Sequence, residues 1–187
     1  MVDTYKIWLK RHRPWLAVIL TVLLVLVVRV RLREIPLERD EGEYAYAGQL
    51  MLQHIPPYKF AYNMKLPGTY AAYAMLMGIF GETPWGIHVG VLFVNAGTIV
   101  LVFLLGSRLF GRTAGVVAAA TYGLLSTHQQ TLGFAGHATH FVIIAAIAGL
   151  IVLLRAIEGV LLVRLRCANQ TQRMLSPRQV RRRASAL

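Results

Sequence analysis

Cysteine and acidic residues are scarce in this sequence. The chain of 187 residues has one cysteine, Cys167, and only 8 Asp and Glu against 20 Lys and Arg. A lone cysteine excludes a disulfide framework and a thiolate metal site within one chain. The phosphate loops of P-loop and Rossmann proteins, the G-x-S-x-G motif and the H-E-x-x-H motif are also absent. These absences exclude the enzyme classes that depend on those motifs.

Hydrophobic residues, in contrast, make up 56% of the chain, where soluble domains have about 45–50%. They are concentrated in blocks, as in a chain solvated by lipid. The blocks predict an all-α, polytopic membrane protein with four transmembrane helices, near residues 14–28, 85–105, 113–126 and 138–154. No small-x-small cleavage site follows the first block. We therefore interpret it as a retained anchor and not as a signal peptide.

The net charge of +12 falls entirely on one side of this topology. Stretches 1–13, 106–112 and 155–187 share that side and hold 14 of the Lys and Arg with two acids. This positive-inside pattern predicts a plasma (inner) membrane protein with a cytoplasmic N-terminus, whose partners are membrane lipids and not nucleic acid. Arg29, Arg31 and Arg33 follow the first helix on the outer side, where their long stems would reach the membrane interface.

Three regions follow from this topology. Residues 1–13 form a basic cytoplasmic lead, and residues 14–157 form the transmembrane part. Residues 158–187 are rich in arginine and are expected to form a disordered cytoplasmic tail.

The outer loop between the first two membrane passes, residues 31–84, is expected to contain two interfacial helices. Residues 41–54 place Tyr44, Ala47, Met51 and His54 on one stripe, and Pro56-Pro57 follows them. Residues 67–81 are apolar but too short to cross a bilayer. Both segments are expected to lie along the membrane surface.

Three acids at the start of the first of these helices are the most conspicuous polar cluster. Arg39-Asp40-Glu41-Gly42-Glu43-Tyr44 follows the first pass directly. One interpretation is structural: Asp40 caps the helix and Glu43 completes a capping box. The other is functional, because a carboxylate at the membrane surface can act as a general base or metal ligand. The two interpretations are compatible.

A lysine precedes the second helix within the sequence Y-N-M-K-L-P-G at residues 62–68. Lys65 would lie at the height of lipid headgroups. It is either a lysine whose stem covers apolar surface or a contact for a phosphate oxygen, since an ammonium suits such an oxygen. The helix N-terminus that follows would also favour an anion.

His137 and His140 are spaced to share one face of a helix. They are either a metal pair or interfacial polar residues. No third ligand is close in the sequence, so we assign no metal ligands, although the sequence does not exclude a divalent metal as a cofactor.

The order of these motifs resembles the N-terminal part of the GT-C fold glycosyltransferases over about residues 14–157. The shared elements are R-D-E-G-E-Y, P-P-Y and N-M-K-L-P-G-T-Y after the first span, and R-L-F-G-R-T-A-G between later spans. The similar branches are bacterial relatives of the dolichyl-phosphate-mannose–protein mannosyltransferases and of the lipid A aminoarabinose transferase. Such enzymes transfer a sugar, with inversion, from a polyprenyl-phosphate donor to an acceptor hydroxyl on the outer face.

The resemblance implies roles for five residues. Asp40 matches the family's first-loop acid and would be the catalytic base, and Glu41 would support the acceptor or a metal. Lys65 would neutralise the donor phosphate, with Tyr62 and Asn63 beside it in the substrate-binding group. The family's K-P-P element here reads K-L-P, and no acid stands at the family's second outer-loop acidic position, near residues 137–140.

Family members have several hundred residues and more spans, so this chain is expected to be truncated and inactive alone. The alternative hypothesis is a small non-catalytic membrane scaffold or complex subunit. A transporter is less favoured, because no predicted span has a pair of ionisable residues.

Overall fold

The computed structural model describes residues 2–60, 62–63, 65–128 and 133–174, and it confirms the all-α prediction. No strand occurs within these residues. The described part of the chain contains six helices: α1 (Val2–Arg31), α2 (Arg39–Leu52), α3 (Gly68–Phe80), α4 (Pro84–Phe110), α5 (Arg112–Leu125) and α6 (Ala138–Met174).

Three of these helices are long and apolar enough to cross a membrane. The segments are His12–Arg31 of α1, Pro84–Phe110 of α4 and Ala138–Cys167 of α6. The prediction of a fourth crossing falls on α5, which has 14 residues. At 1.5 Å per residue it is about 21 Å long, less than the ~30 Å of a typical hydrocarbon core.

Contacts at its two ends show where α5 lies relative to α1. Arg112, at its start, lines a cavity together with Trp15. Ser126, just after its end, accepts a hydrogen bond from Arg29. Both helices therefore run in the same direction between the same two levels, and α4 returns antiparallel to them.

Both helices expected in the outer loop are present. The first was expected at 41–54 and is Arg39–Leu52. The second was expected at 67–81 and is Gly68–Phe80. They cross closely at Gly48, where a Cβ atom would lie 2.9 Å from the backbone nitrogen of Ala74.

Two hydrophobic clusters meet on α4. One joins α2, α3 and α4 through three buried tyrosines, Tyr44, Tyr70 and Tyr73, with Ile87 and Val91. The other joins α1, α4 and α5 and has Val18, Val25, Ile99, Phe103 and Ala119 at its centre. Because α4 belongs to both clusters, it fixes the outer-loop helices to the membrane helices.

The chain divides into two compact units, Met1–Ile147 and Ala148–Leu187. In the second unit α6 continues to Met174, whereas disorder was expected from residue 158. Most of its described side chains are exposed. Leucine and arginine, which are frequent there, both have high helix propensity and favour helix over disorder. The rest of the expected tail, residues 175–187, lies outside the described residues.

Candidate functional site

The N-terminus of α2 is held by a capping box that begins two residues earlier than expected. Glu38 is the N-cap: its Oε2 accepts the backbone N–H of Asp40 at 3.0 Å. Glu41 completes the box by accepting the backbone N–H of Glu38, also at 3.0 Å. The sequence interpretation, with Asp40 as cap and Glu43 as its partner, was wrong. Since Glu38 does the capping, the carboxylate of Asp40 is left outside the box.

Glu41 is buried, and its surroundings differ from those expected of a residue that supports an acceptor. Its exposed fraction is 2%. Besides the bond from Glu38, its carboxylate accepts the backbone N–H of Gly136 and lies 3.5 Å from Nε2 of His88. These contacts give Glu41 a structural role, because they join α2 to α4 and to the segment before α6.

The tautomer of His88 follows from its other neighbour. Nδ1 lies 2.9 Å from the carbonyl oxygen of Arg33, which can only accept, so Nδ1 carries a proton. A favourable contact between Nε2 and the Glu41 carboxylate requires that Nε2 also carries a proton. His88 and Glu41 are therefore arranged as an ion pair.

The pKa of Glu41 reflects the balance between burial and these contacts. Burial favours the neutral acid and is the largest single influence. The hydrogen bonds from His88, Gly136 and Glu38 together outweigh it, so the pKa is lower than the usual value of 4.5. The contribution of Glu41 to stability is consequently present at neutral pH and is lost as the pH falls through its folded-state pKa.

Asp40 and Lys65, 25 residues apart in the sequence, form an ion pair. Nζ of Lys65 lies 3.4 Å from Oδ2 of Asp40, and the two side chains are 37% and 38% exposed. Nζ also donates to the hydroxyl of Tyr44 at 2.7 Å and lies 4.6 Å above that ring. The hydrogen bond to Tyr44 is the main reason that the pKa of Lys65 is raised, with Asp40 adding to it. Lys65 therefore stays charged. Its ammonium group has three N–H donors, and since two are directed at Tyr44 and Asp40, one is left for another ligand.

Asn63 is held by contacts within the protein, whereas Tyr62 is largely exposed. Asn63 donates to the carboxylate of Glu43, and its side-chain oxygen accepts the backbone N–H of Lys65 at 3.3 Å. It therefore positions the backbone that carries Lys65. Tyr62 is 85% exposed.

A cavity of about 180 Å³ adjoins the α2 N-terminus. Apolar side chains form most of its wall, and four ionisable groups reach it. It is lined by Arg29, Leu32, Ile35, Pro36, Glu38, Glu41, His88, Phe134 and Ala135. A largely apolar cavity with a few polar groups is the usual form of a small-molecule site.

His137 and His140 have different surroundings. His140 is buried. His137 instead offers a ligand atom within 4.8 Å of ligand atoms on Glu38 and Asp40, almost 100 residues earlier in the chain. Because these two acids are distant from His137 in the sequence, only the tertiary structure brings the three residues together.

Arg29 was expected to extend its stem to the membrane interface, but its side chain is buried within the protein and only 6% exposed. Its guanidinium donates to the backbone carbonyls of Ser126, Gly133 and Phe134. An arginine inside an apolar run was the available signal, because an ionisable residue there usually faces a protein partner.

Comparison with known proteins assigns no family to this arrangement. No family model, no curated protein and no solved structure matches the chain.

Proposed function

We propose that the chain belongs to an outer-face membrane glycosyltransferase of GT-C type, which transfers a sugar from a polyprenyl-phosphate donor to an acceptor hydroxyl. The observation that carries this proposal is the partly exposed pair of Asp40 and Lys65, two residues selected separately from the sequence and found 3.4 Å apart. A base and a phosphate-binding cation must be close together for such a transfer. A cavity at the same helix N-terminus, lined by Glu38 and Glu41, offers room for part of a substrate.

The pair supplies the two charges that the reaction requires. Asp40 takes the proton from the acceptor hydroxyl, whose oxygen forms a bond to the anomeric carbon. The bond from that carbon to the phosphate oxygen breaks, and the polyprenyl phosphate leaves with the electron pair. Lys65 stabilises the negative charge that develops on the phosphate. No proton transfer is assigned to Glu41, whose carboxylate accepts hydrogen bonds within the protein.

The proposal requires the α2–α3 loop to face away from the cytosol, in the plasma membrane. Two exposed positions test this orientation. Cys167 is the only cysteine and is exposed, and Tyr62 is 85% exposed. In intact cells, a membrane-impermeant maleimide should label the variant with Tyr62→Cys and Cys167→Ser but should leave the unaltered chain unlabelled.

Permeabilised cells provide the control, since both proteins should then react. Labelling of Cys167 in intact cells, together with protection of the cysteine at position 62, would reverse the topology and contradict sugar transfer on the outer face.

Lys65→Ala should weaken donor binding at least tenfold, because a hydrogen bond to a charged group contributes about 1.5–3 kcal/mol. Binding of an undecaprenyl-phosphate sugar can be measured with the chain in lipid nanodiscs. Lys59→Ala is the matched control: Lys59 lies in the same loop, over the ring of Phe60, and its loss should leave affinity unchanged. Equal losses in the two variants would indicate nonspecific attraction, and no binding by the unaltered chain would favour the non-catalytic alternative.

A further inference from the structure

Glu38, Asp40 and His137 form a cluster with the dimensions of a metal site. Each offers one ligand atom, and the three atoms lie within 4.8 Å of one another. Metal–ligand bonds to nitrogen and carboxylate oxygen are about 2.0–2.2 Å, so ligand atoms around one ion lie roughly 3–4.5 Å apart. Glu38 and Asp40 come from the start of α2, and His137 comes from the residue before α6.

The imidazole of His137 provides an independent observation. Its Nε2 atom is buried and has no hydrogen-bond partner. A buried polar atom without a partner is costly and calls for an explanation such as an ion. A neutral imidazole nitrogen is also one of the commonest metal ligands in proteins.

One oxygen of each carboxylate has a partner within the protein. Oε2 of Glu38 accepts the backbone N–H of Asp40, and Oδ2 of Asp40 faces Lys65. Contacts of this kind hold metal ligands in place. The geometry is therefore fixed by the helix cap and by the Asp40–Lys65 pair.

We propose that Glu38, Asp40 and His137 bind one divalent transition-metal ion, with Zn²⁺ preferred to Mg²⁺. The donor set of one imidazole and two carboxylates suits Zn²⁺, whereas Mg²⁺ prefers oxygen ligands alone. Three protein ligands leave at least one coordination position open. With the ion bound, the two carboxylates, the cation and Lys65 have a net charge of +1, which favours an anionic oxygen at the open position. The site shares Asp40 with the proposed sugar transfer, but metal binding does not depend on that activity.

The test measures metal binding to the untagged chain in detergent, without any sugar donor. After treatment with a chelator, isothermal titration should show one saturable Zn²⁺ site per chain and at least tenfold weaker binding of Mg²⁺. His137→Ala and Glu38→Gln should each weaken Zn²⁺ binding at least tenfold. The glutamine retains an oxygen that can cap α2, and unchanged helix content by circular dichroism would exclude unfolding as the cause.

His54→Asn is the matched control. His54 is exposed, lies in the outer loop and has φ of 59°, which asparagine tolerates well. Its replacement should leave Zn²⁺ affinity unchanged. Three results would overturn the metal proposal. They are the absence of a saturable Zn²⁺ site, an unchanged Zn²⁺ affinity in the His137 variant, and Mg²⁺ binding as tight as Zn²⁺ binding. None of these outcomes affects donor binding by Lys65, so the two proposals fail separately.

Discussion

Asp40→Asn is expected to lower sugar transfer by about 10²–10⁴-fold, the usual contribution of a general base. Asparagine has nearly the same shape as aspartate but cannot accept the proton of the acceptor hydroxyl. Because Glu38 caps α2, the substitution leaves the helix start intact, and membrane insertion should not change. The measurement is transfer of radiolabelled sugar from a polyprenyl-phosphate donor, in membranes that contain the protein with any further helices encoded with it.

Glu34→Gln is the matched control for this prediction. Glu34 is an outer-loop acid whose side chain is 80% exposed, and its nearest cation is Arg33 at 3.6 Å. Its neutralisation should leave transfer unchanged. Full activity of the Asp40 variant would remove Asp40 from the role of base, and equal losses in both variants would indicate a general effect of loop charge.

Arg29→Met is expected to destabilise the protein by about 3 kcal/mol, because it leaves buried carbonyl groups without a partner. Arg29 donates to Ser126 at the end of α5 and to Gly133 and Phe134 before α6. Methionine fills similar space but donates no hydrogen bond. For a chain of this size, the loss corresponds to an apparent unfolding temperature lower by about 6–12 °C, which can be measured by thermal unfolding in detergent.

The neighbouring arginine supplies the comparison. Arg31 lies two residues along α1 and is exposed, so Arg31→Met should change the unfolding temperature little. An Arg29 variant as stable as the Arg31 variant would show that the segment before α6 is held by other contacts. Those contacts would include the bonds of Gly136, which donates to Glu41 and accepts from Tyr73 at 2.7 Å.

The segment around Gly136 links the Arg29 prediction to the candidate site. Gly136 is bonded on both sides and adjoins His137, so loss of the Arg29 contacts should also displace the imidazole from Glu38 and Asp40. A Cβ at Gly136 would contact Glu41 and Val91 and collide with the hydroxyl of Tyr73. The backbone around Gly136 therefore contributes both to the stability of the protein and to the geometry of the proposed metal site.

The helices were predictable because their signals are local. The apolar blocks predicted α1, α4 and α6, and the stripe of Tyr44 and Ala47 predicted α2 to within two residues. The reach of α6 beyond residue 158 was missed, because the density of arginine was given more weight than the apolar residues between them. The short length of α5 was visible in the sequence. Whether α5 crosses the membrane depends on the thickness of the apolar layer around α1 and α4, which pack against it.

In the candidate site, too, some features follow from local sequence and others from packing between distant residues. The sequence by itself selected Asp40 and Lys65, since a carboxylate and a lysine beside a membrane are chemically conspicuous. The sequence could not show which of the two consecutive acids is accessible. Asp40 and Glu41 both carry a carboxylate, and only the residues packed against each one decide its burial. Burial of Glu41 and Arg29 and the approach of His137 to Glu38 depend on contacts between residues almost 100 positions apart. Hydropathy acts over a few residues and so is written in the sequence, whereas the position of a charge relative to a distant backbone is decided only when the helices pack.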